Sequence, residues 1–383
     1  MTVVNVNSPR ERKGLLESIV KDFSKRASYY DEQGKFPFEN FQQLKEIGYP
    51  SFTIPKKYGG AGISLHEWLE LQELIAQHDG STALAIGWHM GIMKQLGETV
   101  AWEEEIYQAL VEDVIQNGAL INNAATEPAT GSPTRGGRPE TVAKRTENGW
   151  IINGRKSFTT LAPILDYFVV SASIEGSEDV GNFLVRRELE GVSIDETWDS
   201  IAMKATGSHD LLLNNVQLKA EDYVQKMSKE RKPHGWLLHI PAVYLGIAKA
   251  AQRYAVEFAT SYSPNSTKGT IADFPSVRER IGKMDLLILE SSSLLYSIAA
   301  SWDQASDTER NVMGPDISAT KLSVVNKALE IVDLAMRIVG ARSLSAKNPL
   351  QRYYRDVRAG LHNPPMDDIT IMALADRAIK QFI

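Results

Sequence analysis

The residue types best suited to chemistry lie in two short stretches near the middle of the chain. The first, TEPATGSPTRGG at residues 126–137, combines a proline turn, a hydroxyl-rich segment and a Gly-Gly pair. Its backbone N–H groups can turn toward a bound anion or ring. The second stretch, Phe158-Thr159-Thr160, places one aromatic face beside two hydroxyls. Together they predict a ligand-facing loop and a surface for a flat heterocycle; an ordinary β-hairpin with a polar loop is the alternative.

The composition excludes several classes of protein. The chain has 383 residues, a formal net charge of −6 and no cysteine, which rules out disulfides, a thiolate nucleophile and Cys-ligated metal clusters. No block of like charge is long enough to bind nucleic acid or a membrane surface. The seven histidines show no HxxxH or HExxH spacing, and no GxSxG occurs. We expect a cytoplasmic protein, because we find no signal peptide and no run of about twenty apolar residues.

Hydrophobic periodicity divides the chain into three parts. Helical spacing dominates at first, short β-rich runs separated by Pro, Gly, Asn and Asp follow, and four long amphipathic segments come last. Within the β-rich part, Asn153-Gly154 is a strong hairpin signal. We predict an α+β protein with an N-terminal helical domain at 1–118, a middle antiparallel β-barrel or sandwich domain at 119–228 and a C-terminal four-helix bundle at 229–383. Neither a Rossmann GxGxxG nor a P-loop motif is present.

The order of several motifs resembles the acyl-CoA dehydrogenase superfamily of flavoproteins. TEPATGS and INGRKSFTT are similar to the family's TEPxxGS and INGxKxWIT or INGxKxFxS segments. IPKKYGGAG precedes them, and MKATGSHDLLLNNVQL, IADF and IVGARSLSAKNPLQRYYRDVRAG follow them, each similar to a family segment in the expected order. The resemblance covers most of the chain and implies the acyl-CoA dehydrogenase fold and a flavin cofactor.

The resemblance also implies roles for individual residues. Thr126 and Ser132 would lie against the flavin and the substrate. Phe158 would cover one face of the isoalloxazine ring, and Thr159 and Thr160 would hydrogen-bond its N5 and O4 edge.

Further roles concern the substrate and the oligomer. Ser208, in a TGS motif, is a candidate substrate-binding residue. Gly340 matches a glycine that approaches the FAD of a neighbouring subunit, which implies FAD as the cofactor and a homotetramer. FMN is the alternative cofactor if the protein is a monooxygenase. The implied partners are a small molecule, either an acyl-CoA or an aromatic or heteroatom compound, and an electron acceptor flavoprotein or a flavin reductase.

The chain departs from the family pattern where the FAD pyrophosphate binds. Ungapped extension from IADF places Asn265 at the position of the family's pyrophosphate-pairing Arg, and Thr267 at that of a Phe. Arg337 stands at the glutamine of the QxxGG motif. Arg337 or Lys268 is therefore a candidate substitute cation.

The family's catalytic carboxylate is missing as well. Removal of an α-proton from a thioester requires a base beside the α-carbon, but Pro364 occupies the usual Glu position and the alternative position offers only Trp236 and Leu237. Asp367 is a candidate base, although an acid directly after Pro364-Pro365 also suits the first turn of a helix. His362 is a candidate acid, base or hydrogen-bond donor.

His89 lies on an apolar helix, where the simplest expectation is a core histidine. The superfamily also contains reduced-flavin monooxygenases, in which histidines from the regions of His89 and His362 line the cavity over the flavin. Three hypotheses follow. The first is FAD-dependent α,β-dehydrogenation of an acyl-CoA with hydride transfer to flavin N5, which we rank first because most of the frame resembles that branch. The second is a two-component monooxygenase that uses His362 and His89, and the third is an inactive flavin-binding or scaffold homologue. In all three we expect Glu127 to shape the loop.

Overall fold

A computed structural model describes residues 8–99, 101–131, 136–228, 232–266 and 268–382. Helices occupy both ends of the chain and a sheet occupies its middle, as predicted. The helices of the described residues are α1 (Pro9–Gln33), α2 (Phe38–Glu46), α3 (Leu65–Ala76), α4 (Gly80–Thr99), α5 (Glu104–Asn117), α6 (His239–Ser261), α7 (Pro275–Gln304), α8 (Asp307–Arg310), α9 (Gly314–Val339), α10 (Pro349–Ala359) and α11 (Asp367–Ile379). No helix in these ranges is long and apolar enough to cross a membrane.

Helix α1 shows how local sequence sets these elements. Ser8 and Glu11 form a reciprocal capping box at its start, and Gly34 ends it in a left-handed conformation with φ of 60°. Between the caps, apolar residues at three- and four-residue spacing are buried, namely Leu16, Val20, Phe23 and Ala27. The helix therefore buries one face against the rest of the N-terminal part.

The sheet of the middle part is mixed and open, which corrects the predicted antiparallel barrel or sandwich. Its strands run in the spatial order β6-β7-β3-β2-β4-β5-β8, with β1 beside β4. They are β1 (Ile121–Ala124), β2 (Val142–Thr146), β3 (Gly149–Thr159), β4 (Tyr167–Ile174), β5 (Val180–Arg186), β6 (Val192–Asp195), β7 (His209–Lys219) and β8 (Tyr223–Lys226).

The parallel pairing has a simple cause. Both β1 and β2 run parallel to β4 and pair with successive parts of it. They therefore lie along one edge of β4 like a single strand that the segment 125–141 interrupts. This segment contains the loop predicted to face a ligand.

The hairpin predicted at Asn153-Gly154 is wrong. Both residues lie inside β3, beside a register shift against β7. The reason for the glycine is a close contact, because a Cβ at Gly154 would lie 2.3 Å from the Thr141 hydroxyl oxygen. The turn between β2 and β3 lies instead at residues 147–148, since Thr146 pairs with Gly149.

In the C-terminal part, the four long predicted segments correspond to α6, α7, α9 and α11. Helix α6 packs against α3, α4, α7 and α9 and so joins the two helical parts of the molecule. Three glycines of α4 allow a close approach: a Cβ at Gly80 or Gly87 would lie under 3.0 Å from Ile247 or His239 of α6, and one at Gly91 would lie under 3.0 Å from Trp236 in the 3-10 turn just before α6. The start of α6 is thereby held directly against α4.

Candidate flavin site

The ligand-facing loop is organised by a buried carboxylate. Glu127 accepts hydrogen bonds from the Lys156 ammonium at 2.6 Å, the Thr141 and Glu140 N–H groups at 3.0 and 2.6 Å, and the Thr130 hydroxyl at 3.1 Å. Burial alone would raise the pKa of Glu127, but its hydrogen bonds from Lys156 and Thr141 outweigh burial and lower that pKa to about 2. Glu127 therefore lies inside the loop as a fixed anion, in the shaping position expected from the sequence.

Phe158 lies at the end of β3 with an unusual backbone and an open ring. Its φ is 56°, in the left-handed region that a phenylalanine rarely adopts. Its side chain is 62% exposed, and the Trp198 ring contacts it edge-on with centroids 5.8 Å apart. An exposed aromatic ring supported from one side is a suitable surface for a planar heterocycle.

Thr160 follows in a tight turn whose backbone is fully hydrogen-bonded. Its N–H donates to the Phe158 carbonyl at 2.9 Å, and its own carbonyl accepts from the Asn122 side-chain amide at 2.9 Å. The next two N–H groups, of Leu161 and Ala162, donate to the carbonyls of residues 206 and 207. This turn is therefore fixed to the segment that precedes β7.

That attachment brings together three hydroxyls, Thr160, Ser208 and Thr206, which we call the hydroxyl ladder. The Thr160 and Ser208 oxygens are 2.8 Å apart, and so are the Ser208 and Thr206 oxygens. The Thr206 hydroxyl also donates to the Met203 carbonyl at 3.0 Å. The sequence places Thr160 and Ser208 about fifty residues apart, and the structure joins them.

Gly207 allows this arrangement. Its φ is 56°, and a Cβ there would lie 2.7 Å from the Phe36 ring and 2.8 Å from Pro163. Only glycine tolerates both the conformation and the space, so Thr206 and Ser208 are both directed into the ladder.

Asp356 holds the far end of the ladder in place. The Met203 N–H donates to its carboxylate at 2.7 Å, and Met203 itself has a left-handed φ of 51°. Burial raises the pKa of Asp356 to about 7. This residue belongs to the RDxR motif, which therefore supports the loop that carries Met203.

The two candidate bases near Pro364 lie in different environments. The Asp367 carboxylate accepts from the buried Lys321 ammonium at 3.2 Å and from the Asn326 amide at 3.2 Å, in the first turn of α11. His362 is exposed and ends a 3-10 turn that begins at the buried Gly360. Between them, the Asn363 side-chain oxygen accepts from the hydroxyl of the fully buried Tyr244.

His89 is completely buried, with both ring nitrogens bound to the backbone. Its Nε2 lies 3.1 Å from the Pro50 carbonyl, and its Nδ1 accepts from the Ile121 N–H at 3.1 Å. These partners fix the tautomer with hydrogen on Nε2. Burial lowers the pKa of His89 to about 4, so the ring is neutral at physiological pH. No contact joins it to His362 within the described ranges.

Sequence reasoning missed a second buried histidine, His239, at the start of α6. Its ring stacks between Trp68 and Trp236, with centroids 5.7 and 5.9 Å away, and Trp88 meets it edge-on at 5.2 Å. Neither ring nitrogen has a hydrogen-bond partner among the residues that the structure describes. The one signal in the sequence is the spacing of Trp236 and His239, three residues apart at the start of an apolar helix.

The remaining candidates have no described contact with Phe158 or the hydroxyl ladder, or lie outside the described residues. Gly340 follows α9 with a φ of 68°, and a Cβ there would meet nothing within 4 Å among the described residues. Arg337 is 65% exposed and lies 3.5 Å from the Asp333 carboxylate. Asn265 lies in an exposed turn. Ser132 and Thr267 are outside the residues described.

The chemistry of the site comes from hydroxyls, aromatic rings and backbone groups. Across the described ranges, no group of three or more His, Asp or Glu side chains is arranged to hold a metal ion. The exposed Phe158 ring next to the Thr160 hydroxyl fits a planar ring with polar edges, as a flavin has. The buried hydroxyls of Ser157 and Thr159, without partners in the part of the chain described, lie beside them in sequence.

Comparison with known families agrees with this geometry. The N-terminal, middle and C-terminal domains of acyl-CoA dehydrogenase match residues 12–104, 122–216 and 238–363 respectively. The matches follow one another in family order and together span most of the chain.

Individual relatives differ in their described activities. The Bacillus subtilis protein named "Putative acyl-CoA dehydrogenase YdbM" is 51% identical over 94% of this chain and 95% of its own length. L-evernosamine nitrososynthase of a Micromonospora strain is 27% identical over 90% of this chain and 84% of its own. The structure of KijD3 with FMN and a dTDP-sugar is 23% identical, with a TM-score of 0.84 over 96% of this chain and 94% of that one.

Proposed function

This chain belongs to the acyl-CoA dehydrogenase family of flavin-dependent enzymes, and we propose that it is a two-component monooxygenase. In this proposal a separate reductase supplies reduced flavin. One atom of O2 enters a small substrate, the other leaves as water, and the flavin leaves oxidised. The observation that carries the proposal is the state of the carboxylates near the family's base positions.

Dehydrogenation of a thioester requires a carboxylate or another base that is available to the substrate. Pro364 and Trp236 occupy the two family positions for that base. Asp367 is engaged by the buried Lys321 and by Asn326, and Asp356 reaches the ladder only through the Met203 backbone. Monooxygenation needs no such carboxylate, because the electrons arrive with the reduced flavin.

The residues of the site fit the flavin in this function. When bound, reduced flavin supplies the two electrons that activate oxygen. Phe158 would support one face of the ring, the Thr160 hydroxyl would meet its N5 edge, and the loop that begins at Thr126 would cover it. We propose FMN ahead of FAD, because Asn265 carries no charge for the FAD pyrophosphate and the substitute Arg337 already lies 3.5 Å from the Asp333 carboxylate.

We assign proton transfer to His362 and a structural role to His89. His362 is exposed, and an imidazole can either accept or donate a proton. Both nitrogens of His89 are already bound to the backbone, so moving a proton at either one would break a buried hydrogen bond. The relative described as a nitrososynthase supports the proposal, because family members are evidently not all dehydrogenases.

The test follows the reaction of protein-bound reduced flavin with oxygen. Protein is mixed anaerobically with chemically reduced FMN, oxygen is added, and oxygen consumption and recovery of oxidised-flavin absorbance are recorded together. We expect flavin recovery to lag behind oxygen consumption, whereas free reduced FMN shows no such lag. Simultaneous recovery, with and without protein, would contradict the proposal.

The second candidate function is acyl-CoA dehydrogenation, which the 51% identity to YdbM favours. Its test is anaerobic addition of acyl-CoA thioesters of graded chain length to protein reconstituted with oxidised FAD. Bleaching of the flavin by any of them would establish dehydrogenation and identify the acyl group. We expect no bleaching.

A further inference from the structure

We infer that the hydroxyl ladder makes the site selective for reduced flavin, because it leaves Thr160 able only to accept a hydrogen bond from the ring. The inference rests on the proposed function, in which Thr160 meets the flavin N5 edge. It adds a reason why the site prefers one oxidation state and assigns a positioning role to Thr206, a residue that need not contact the flavin at all.

Counting hydrogens fixes the direction of the ladder. Each of its hydroxyls carries one hydrogen, and a carbonyl can only accept, so the Thr206 hydrogen is used on the Met203 oxygen. The contact between Ser208 and Thr206 must then use the Ser208 hydrogen. By the same logic the contact between Thr160 and Ser208 uses the Thr160 hydrogen. Thr160 retains only lone pairs for a ligand.

Burial keeps this direction from reversing. The exposed fractions of Thr160, Ser208 and Thr206 are 9%, 5% and 1%, so bulk water offers little alternative partner. The Met203 carbonyl is held as well, because it also accepts from the Trp198 indole N–H and the Thr206 N–H, both at 3.2 Å. The acceptor at the end of the ladder is therefore stationary.

Flavin chemistry makes the direction matter. In oxidised flavin N5 carries a lone pair and no hydrogen, whereas in reduced flavin it carries N–H. An acceptor-only Thr160 matches the reduced form with a hydrogen bond and faces the oxidised form lone pair to lone pair. To donate to oxidised flavin, Thr160 would have to abandon its buried bond to Ser208, which costs about one hydrogen bond, or roughly tenfold in affinity.

The test compares dissociation constants for oxidised and reduced FMN, measured anaerobically, in wild type and in Thr206→Val. The valine removes the ladder's anchor and frees the Ser208 hydrogen, so Ser208 can donate to Thr160 and Thr160 to oxidised N5. We expect the preference for reduced FMN to fall about tenfold, which corresponds to a two-electron potential lower by about 30 mV. Thr206→Ser keeps the hydroxyl and should restore the wild-type preference.

Thr320→Val is the matched control, since Thr320 is also buried and donates to a backbone carbonyl, within α9. It should leave the preference unchanged. An equal preference in folded Thr206→Val and wild type would overturn the inference, even if oxygen consumption precedes flavin recovery as the proposed function requires. If Thr206→Val shows a smaller preference for reduced FMN, but flavin recovery does not lag behind oxygen consumption in wild type, the result would support the ladder and overturn the proposed monooxygenase.

Discussion

At the scale of single residues, the buried pair of Lys156 and Glu127 is the strongest link between the ligand-facing loop and the sheet. Lys156 is fully buried on β3, and burial lowers its pKa, although the Glu127 carboxylate opposes that change. In the described contacts, Lys156 has no second carboxylate and Glu127 has no second cation. The loop conformation therefore depends on both.

Replacing Lys156 with Met should destabilise the fold by about 3–5 kcal/mol, because it leaves the Glu127 carboxylate buried without its cation. Urea denaturation measures the change. The control is Arg138→Met, which removes the exposed ion pair with Glu178 in the same part of the chain and should cost under about 1 kcal/mol. Similar effects of the two substitutions would show that the loop does not depend on the buried pair.

His239 should make stability depend on pH. Burial lowers its pKa to about 3, whereas the unfolded chain binds a proton near pH 6.5. Since the folded pKa is the lower one, the stability due to neutral His239 is present above pH 6.5 and is lost as the pH falls.

The corresponding substitution is His239→Phe, which keeps a ring between the two indoles and removes the titration. Between pH 7 and pH 5, wild type should lose about 2 kcal/mol of unfolding free energy relative to the variant. The comparison cancels the titration of other groups such as Asp356. A constant difference between the two proteins at both pH values would show that folding does not lower the pKa of His239.

The sequence allowed prediction of some site residues and not of others, for a physical reason. Phe158 and Thr160 stand in one motif whose residue types made them candidates, and Ser208 became a candidate through the family resemblance. Thr206 acts through two other hydroxyls, and its position depends on hydrogen bonds between segments about fifty residues apart. His239 was missed because its local signal, Trp236 three residues before it, does not reveal the contacts with Trp68 and Trp88, which come from distant segments.

At the scale of elements, the glycines of α4 decide how closely α6 can approach. A Cβ at Gly87 would lie 2.3 Å from Nδ1 of His239 and 2.6 Å from the Gln72 amide nitrogen. Gly87→Ala should therefore destabilise the protein by about 1–3 kcal/mol through overpacking. Gly14→Ala, on the exposed face of α1 with nothing within 4 Å, should stabilise by about 0.5–1 kcal/mol. Thermal unfolding of both variants gives the comparison, and equal shifts would refute the close contact.

The same scale shows the limits of periodicity. The helices were predictable because their apolar spacing is local, and the caps of α1 are encoded within its own sequence. The mixed pairing of the sheet was not predictable from periodicity, because the parallel alignment of β1 and β2 on β4 depends on the long interruption at 125–141. At Asn153-Gly154 a turn motif was overridden by the side chain of Thr141, which no local pattern reveals.

At the scale of the whole molecule, the family frame is retained, and we propose that its catalytic chemistry has changed. The three family domains follow in order, and the flavin-facing turn, the RDxR motif and the α4–α6 contact converge on one region. Asp367 is engaged by Lys321 and Asn326, and the hydroxyl ladder ends on the Met203 carbonyl, so in our proposal Thr160 accepts a hydrogen from the ring. We propose that the frame now binds a flavin that arrives reduced and leaves oxidised.

The most direct measurement is the affinity of the wild-type protein for reduced and oxidised FMN under identical anaerobic conditions. We expect reduced FMN to bind at least about tenfold more tightly, because only its N5 can donate to Thr160. Equal affinity, or tighter binding of the oxidised form, would contradict a site built for reduced flavin and would return dehydrogenation to first place.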